Sequence, residues 1–143
     1  MNFKLLMTLS IVLLIQGCST AAQQKADDMA LAKTYYDKAF YSEAEQLLLK
    51  LREQMPENYD VNFRLGNIYV RTGQLPAAEN MYQQCIEIDP AEPKGWYNLA
   101  LLRVKQAVHL AEQGHRQSAL TDTAFSEQFV MLRDNLIKAI TGK

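Results

Sequence analysis

The sequence predicts an all-α fold, a short stack of helical hairpins (an α-solenoid) closed by a C-terminal helix. Three observations predict it. Residue types recur at a spacing of 34: Leu31 with Leu65, Tyr35 with Tyr69, Ala44 with Ala78, and Pro56 with Pro90. Apolar residues follow the three- and four-residue spacing of helices, as in Leu47, Leu48 and Leu51, or Met81, Tyr82, Cys85 and Ile86. Proline and glycine stand where such helices should start and stop.

The composition is that of an ordinary globular chain. It has 143 residues, 48% hydrophobic and 22% charged, enough for one domain. A net charge of -1 gives no electrostatic case for binding nucleic acid. Two cysteines, Cys18 and Cys85, do not make a disulfide framework.

The first element is a leader. Lys4 supplies a basic tip, Leu5 to Ile15 is apolar except for Thr8 and Ser10, and the small Gly17 precedes Cys18. This is the pattern of a secretory signal over residues 1–17. The apolar run is shorter than the ~20 residues a spanning helix needs. Ile15-Gln16-Gly17-Cys18 resembles the lipobox of bacterial lipoproteins. The resemblance implies that Cys18 becomes the first mature residue and receives acyl chains, palmitate among them. Ser19 rather than aspartate follows the cysteine. The resemblance then implies sorting to the outer membrane, facing the periplasm. Small polar residues after Cys18 predict a flexible tether over residues 18–27.

Residues 28–143 are expected to form the folded domain. Units are expected at about 25–58 and 59–92, with a divergent third at 93–124. Each unit is a helix, a tight turn and an antiparallel second helix. Ala32, Gly66, Ala44 and Ala78 are the small residues that let two helices cross closely, and Tyr35 and Tyr69 fill the space beside them. Gly73 is expected as a left-handed helix end, Pro76 at the start of the next helix, and Pro56 and Pro90 as stops. Ala39-Phe40-Tyr41 stands where the first unit should have a turn glycine, so a different turn is expected there. In the third unit Trp96 to Ala100 begins well, but no glycine falls at 107. The helix is read as running on to a turn at Gly114, with Ala119 following five residues later, as Ala78 follows Gly73. Phe125, Phe129, Leu132, Leu136 and Ile140 form the apolar row of a C-terminal helix over about 117–141. It is expected to cap the array; the alternative is a homodimer through this helix.

The period and pattern resemble those of the tetratricopeptide repeat. The resemblance implies a scaffold for other proteins, with a concave groove lined by the first helix of each hairpin. By analogy the groove residues are Lys33, Tyr36 and Asp37, then Asn67, Val70 and Arg71, then Tyr97, Leu101 and Lys105. Their mix of aromatic, aliphatic and hydrogen-bonding groups suits a peptide. The lysine and asparagine clamp of chaperone-binding relatives is not implied, because Met29 stands where its first lysine would fall.

No catalytic residues, cofactor or metal site are expected. GxSxG, P-loop and GxGxxG motifs are absent from the sequence, and the carboxylates are scattered. His109 and His115 lie six residues apart and are expected to be solvated, and Cys85 to be a buried, inert thiol. The layout resembles small lipoproteins such as pilotins and accessory factors of type IV or Tad pilus and secretion systems. The expected partners are therefore the membrane, through acylated Cys18, and other envelope proteins, through the groove. The alternative is an adaptor for cell-wall or exopolysaccharide synthesis enzymes.

Overall fold

The computed structural model describes residues 3–142, with side chains from Thr20 onward. The expected signal, residues 1–17, and Cys18 lie outside the residues whose side chains are described. Six helices follow in order: α1 (Phe3–Asp37), α2 (Tyr41–Gln54), α3 (Tyr59–Arg71), α4 (Leu75–Ile88), α5 (Pro93–Ser118) and α6 (Thr123–Thr141). Each packs chiefly on its neighbours in the chain, so α1/α2, α3/α4 and α5/α6 are three hairpins in a row. The fold is the predicted all-α short solenoid of helical hairpins.

The core is a seam between consecutive helices. Ala32, Ala44, Leu48, Leu51, Val61, Leu65, Ile68 and Ala78 have no exposed surface. Small residues set the spacing. A methyl group on Gly66 would stand 2.6 Å from the ring of Tyr82, so only glycine admits that ring between α3 and α4. At the junction of α2 and α3, the buried Asn62 closes the turn. Its amide donates to the carbonyls of Pro56 (2.9 Å) and Asn58 (3.0 Å), and its Oδ1 accepts from Arg52 Nε at 3.0 Å. A buried amide so fully paired carries little desolvation penalty. Asn58 itself caps α3, its Oδ1 accepting from the amide of Val61.

The turn of the first hairpin is not different from that of the second. Ala39 adopts φ 61° where Gly73, one period later, has φ 79°. The closing bonds also repeat: Phe40 N to Tyr35 O at 2.9 Å, and Gln74 N to Tyr69 O at 2.8 Å. The neighbouring helices impose the left-handed turn, and alanine accepts it at a conformational cost.

Two further expectations are corrected. Residues 19–27 are not an irregular tether; they belong to α1. Ala21, Ala22 and Ala26 are strong helix formers, and Gln23 and Gln24 donate one turn on to Asp27 (2.9 Å) and Asp28 (2.8 Å). Asp28 is buried and bound by Lys50 of α2 at 2.9 Å. That bond, then Gln24, holds its carboxyl below the ordinary value. The third unit does not turn at Gly114. α5 continues to Ser118, and Ala119 ends that helix instead of packing in the next. Gly114 is a crossing point: a methyl group there would stand 2.6 Å from the ring of Phe129. The turn is made at residues 119–122, where Asp122 Oδ1 caps α6 by accepting from Ala124 and Phe125. The C-terminal helix is therefore the second helix of the third hairpin, not an element added after it.

Ala39→Gly should relieve the left-handed turn. The expected gain is about 0.5–1 kcal/mol, after the larger unfolded-state entropy of glycine is subtracted. Urea denaturation followed by circular dichroism measures it, and an unchanged midpoint would mean that the turn carries no strain.

Candidate functional site

The first helices of the three hairpins meet around one concavity of about 290 Å³. Tyr36 of α1, Asn67, Val70 and Arg71 of α3, and Leu101 and Lys105 of α5 line it, all of them groove residues expected from the sequence. Asn98 and Leu102 of α5 and Tyr82 of α4 line it as well. The sequence reading missed these three. Asn98 lies one helical turn before Leu101 and two before Lys105, so the stripe at spacings of three and seven could have revealed it. Tyr82 belongs to a second helix and reaches the groove over Gly66.

Lys33, Asp37 and Tyr97 do not line the concavity. Lys33 and Asp37 pair with each other across one helical turn at 2.9 Å, both in solvent. Tyr97 is 65% exposed, because it stands one position, and so about 100° of helical rotation, away from Asn98.

Two pairs of polar groups in the groove are fixed before anything binds. Tyr82 donates from its hydroxyl to Asn67 Oδ1 at 2.8 Å, and burial pushes that hydroxyl's pKa well up, so it stays protonated. Arg71 donates from Nε to the Tyr36 hydroxyl at 3.0 Å. Its guanidinium carbon lies 5.5 Å from the centre of the Tyr36 ring and 5.8 Å from that of Tyr41. The two rings stand edge to face at 5.8 Å. Such cation–π contacts contribute about 0.5–1 kcal/mol at exposed sites, enough to hold the group at the wall. The hydrogen bond to Tyr36, and then the electron-rich tyrosines, raise the Arg71 pKa further.

Neither Arg71 nor Lys105 forms an ion pair among the described residues. The described lining contains two cations, two carboxamides and no carboxylate. The volume is at the lower end of the ~300–1,000 Å³ typical of small-molecule sites. It has room for an anchoring side chain of a peptide rather than for a large metabolite.

Elsewhere the chemistry is structural. Cys85 is fully buried, its thiol 3.7 Å from the Tyr59 carbonyl, and burial pushes its pKa up to about 12. His109 is exposed and lies 3.0 Å from Gln113. His115 is half-buried: its Nδ1 lies 2.8 Å from the Ser126 hydroxyl and ties α5 to α6. No cluster of three or more His, Cys, Asp or Glu suited to a metal occurs among the described residues. Among the described residues, no helix is long and apolar enough to cross a membrane.

Residues 41–102, from the start of α2 to the middle of α5, match the tetratricopeptide repeat. No curated protein matches the chain. The repeat match supports a tetratricopeptide repeat protein. Such repeats are generally non-enzymatic scaffolds that mediate protein–protein interaction, and that role fits a groove with fixed hydrogen-bonding groups and free cations.

Cys85 should resist alkylation at pH 8 in the folded chain and react once urea unfolds it, as read by mass mapping of its peptide. The unfolded thiol ionises near its ordinary 9.0, whereas the folded one holds its proton to about 12. Its contribution to stability is therefore complete below pH 9 and is lost as pH rises toward 12. Equal labelling with and without urea would contradict this burial.

Proposed function

We propose that the chain is a lipid-anchored interaction module of the bacterial envelope. Acyl chains on Cys18 hold it at the periplasmic face of the outer membrane. Its groove takes a segment of another envelope protein during assembly of a machine such as a type IV or Tad pilus or a secretion system. The lipobox-like Ile15-Gln16-Gly17-Cys18 supports the anchor. One acyl chain binds a membrane marginally, whereas two or more hold it stably, at ~0.8 kcal/mol per buried methylene. The helical residues 19–27 extend the first hairpin toward Cys18. At ~1.5 Å per residue they set the groove about 14 Å further from the lipid.

The charge of the groove carries the partner reading. Arg71 and Lys105 face a concavity whose described lining offers no carboxylate, beside the apolar side chains of Val70, Leu101 and Leu102. A peptide that places an acidic group next to an aliphatic side chain satisfies both halves. The cations would steer it in, and the apolar wall and the Asn67 and Asn98 amides would hold it.

Affinity capture from solubilised membranes, read by mass spectrometry, tests the groove. Arg71→Ala with Lys105→Ala should lose the captured partner by about tenfold or more, equivalent to ~1.4 kcal/mol or above. Lys33→Ala, outside the concavity, should retain it. An identical set of partners in all three proteins would remove the groove from the reading.

The anchor has a separate test. Cys18→Ser should move the protein from the outer-membrane fraction to the soluble periplasmic one. A variant that still sediments with outer membrane would show that Cys18 is not the attachment point.

A further inference from the structure

A guanidinium keeps its charge throughout the physiological pH range, so an arginine drawn partly out of water needs acceptors. Among the described residues three arginines are half-buried: Arg52, Arg64 and Arg133. Arg52 donates from Nε to Asn62 Oδ1 at 3.0 Å. Arg133 donates from Nε and Nη2 to Asp134 Oδ1 at 2.9 and 2.7 Å. Arg64 of α3 is the exception. Its Nε is shut off from solvent and has no acceptor, while its Nη nitrogens are not among the buried, unpaired atoms. An unpaired buried donor is costly, and each one in a folded protein calls for an explanation.

The chain itself does not complete this group. No carboxylate of the described residues lies within ion-pair distance of Arg64. Asp60, one turn earlier on α3, is exposed and unpaired with it. The position of Arg64 on the helix points to what does. Arg64 stands one turn before Asn67 and two before Arg71, and both of those line the groove. Seven residues make nearly two whole turns, so Arg64 and Arg71 project within about 20° of each other, roughly 10 Å apart along the axis. One period later Asn98 holds the same position in α5 and lines the concavity. Arg64 thus lies on the wall of the groove, just beyond the concavity, as a third cation in line with Arg71.

We propose that Arg64 is a second anchoring point, and that the segment the groove takes carries two acidic side chains, one for Arg71 and Lys105 and one for Arg64. This deepens the acidic-peptide reading of the groove and rests on it. An extended chain advances about 3.3–3.6 Å per residue, so two acids three residues apart span the interval between Arg71 and Arg64. An aliphatic residue beside the first acid meets the apolar wall of Val70, Leu101 and Leu102. A carboxylate entering along the edge of the Arg64 fork takes Nη and Nε together, and this bidentate pairing supplies the acceptor that the free protein lacks. Arg64 therefore selects for the second acid and for its spacing.

Fluorescence anisotropy tests this with the full chain in detergent micelles and labelled synthetic peptides at low salt. The first peptide, Gly-Gly-Glu-Leu-Gly-Glu-Gly-Gly, has its acids three residues apart. The second has Gln in place of the later Glu, and the third keeps both acids but sets them side by side. The wild-type protein should bind the first about tenfold more tightly than either of the others, the effect of one charge-assisted pair. Arg64→Gln should abolish that preference, and Arg71→Ala should weaken the first and second peptides alike. Circular dichroism checks that the variants fold, and the change of peptide asks the same question of the unaltered protein. Equal binding of the first and second peptides, both weakened by Arg71→Ala, overturns the role of Arg64 and leaves the groove reading standing. So does an Arg64→Gln protein that keeps the preference. Equal binding of the first and third peptides means that net charge alone is read, and overturns the proposal as well. Failure of all three to bind overturns it together with the acidic-peptide reading.

Discussion

Close helix crossing is the constraint on which the rest of the structure depends. Gly66 lets the Tyr82 ring pass between α3 and α4, and that ring carries its hydroxyl through to Asn67 on the groove wall. One small residue thus sets the hairpin spacing and delivers a polar group from a second helix to a surface otherwise built from first helices. A bulkier residue at Gly66 would have to displace a ring that is 2% exposed, with the interior around it close-packed. The position of the groove is therefore coupled to the packing of the core.

Much of this was legible in the sequence because the repeat transfers information from one unit to another. Positions 34 apart share environments, so Tyr36, Asn67, Val70, Arg71, Leu101 and Lys105 could be assigned to one surface without coordinates. The reading failed where one residue type serves two roles. Glycine ends a helix at Gly73 and admits a ring at Gly66, and Gly114 was assigned the first role when it plays the second. The spacing to Ala119 resembled the earlier unit, but Ser118 and Asp122 supply the turn further on, through the bond from Asp122 N to Ser118 O at 2.7 Å. Small polar residues are equally ambiguous. Ser19 to Gln24 has the composition of a linker, and its alanines and the paired Gln–Asp spacing mark it as helix. Local partners also intervene, as where Lys33 pairs with Asp37 outside the groove and Ser126 holds a half-buried His115.

The groove is cationic beside an apolar wall, with Tyr36, Tyr82 and Asn67 already committed to hydrogen bonds. Binding there need not pay for ordering the wall, so affinity is set by how well a partner matches the charges.

The continuity of α1 has a geometric result. A single helix runs from the residues following Cys18 into the first hairpin, where Asp28 and Lys50 fasten it to α2. Such a shaft transmits angle as well as distance. Removing one residue between Ser19 and Asp27 would draw the array in by about 1.5 Å and swing its concave side by roughly 100° about the axis. In this protein the length of the stem is therefore a setting for the compass bearing of the groove.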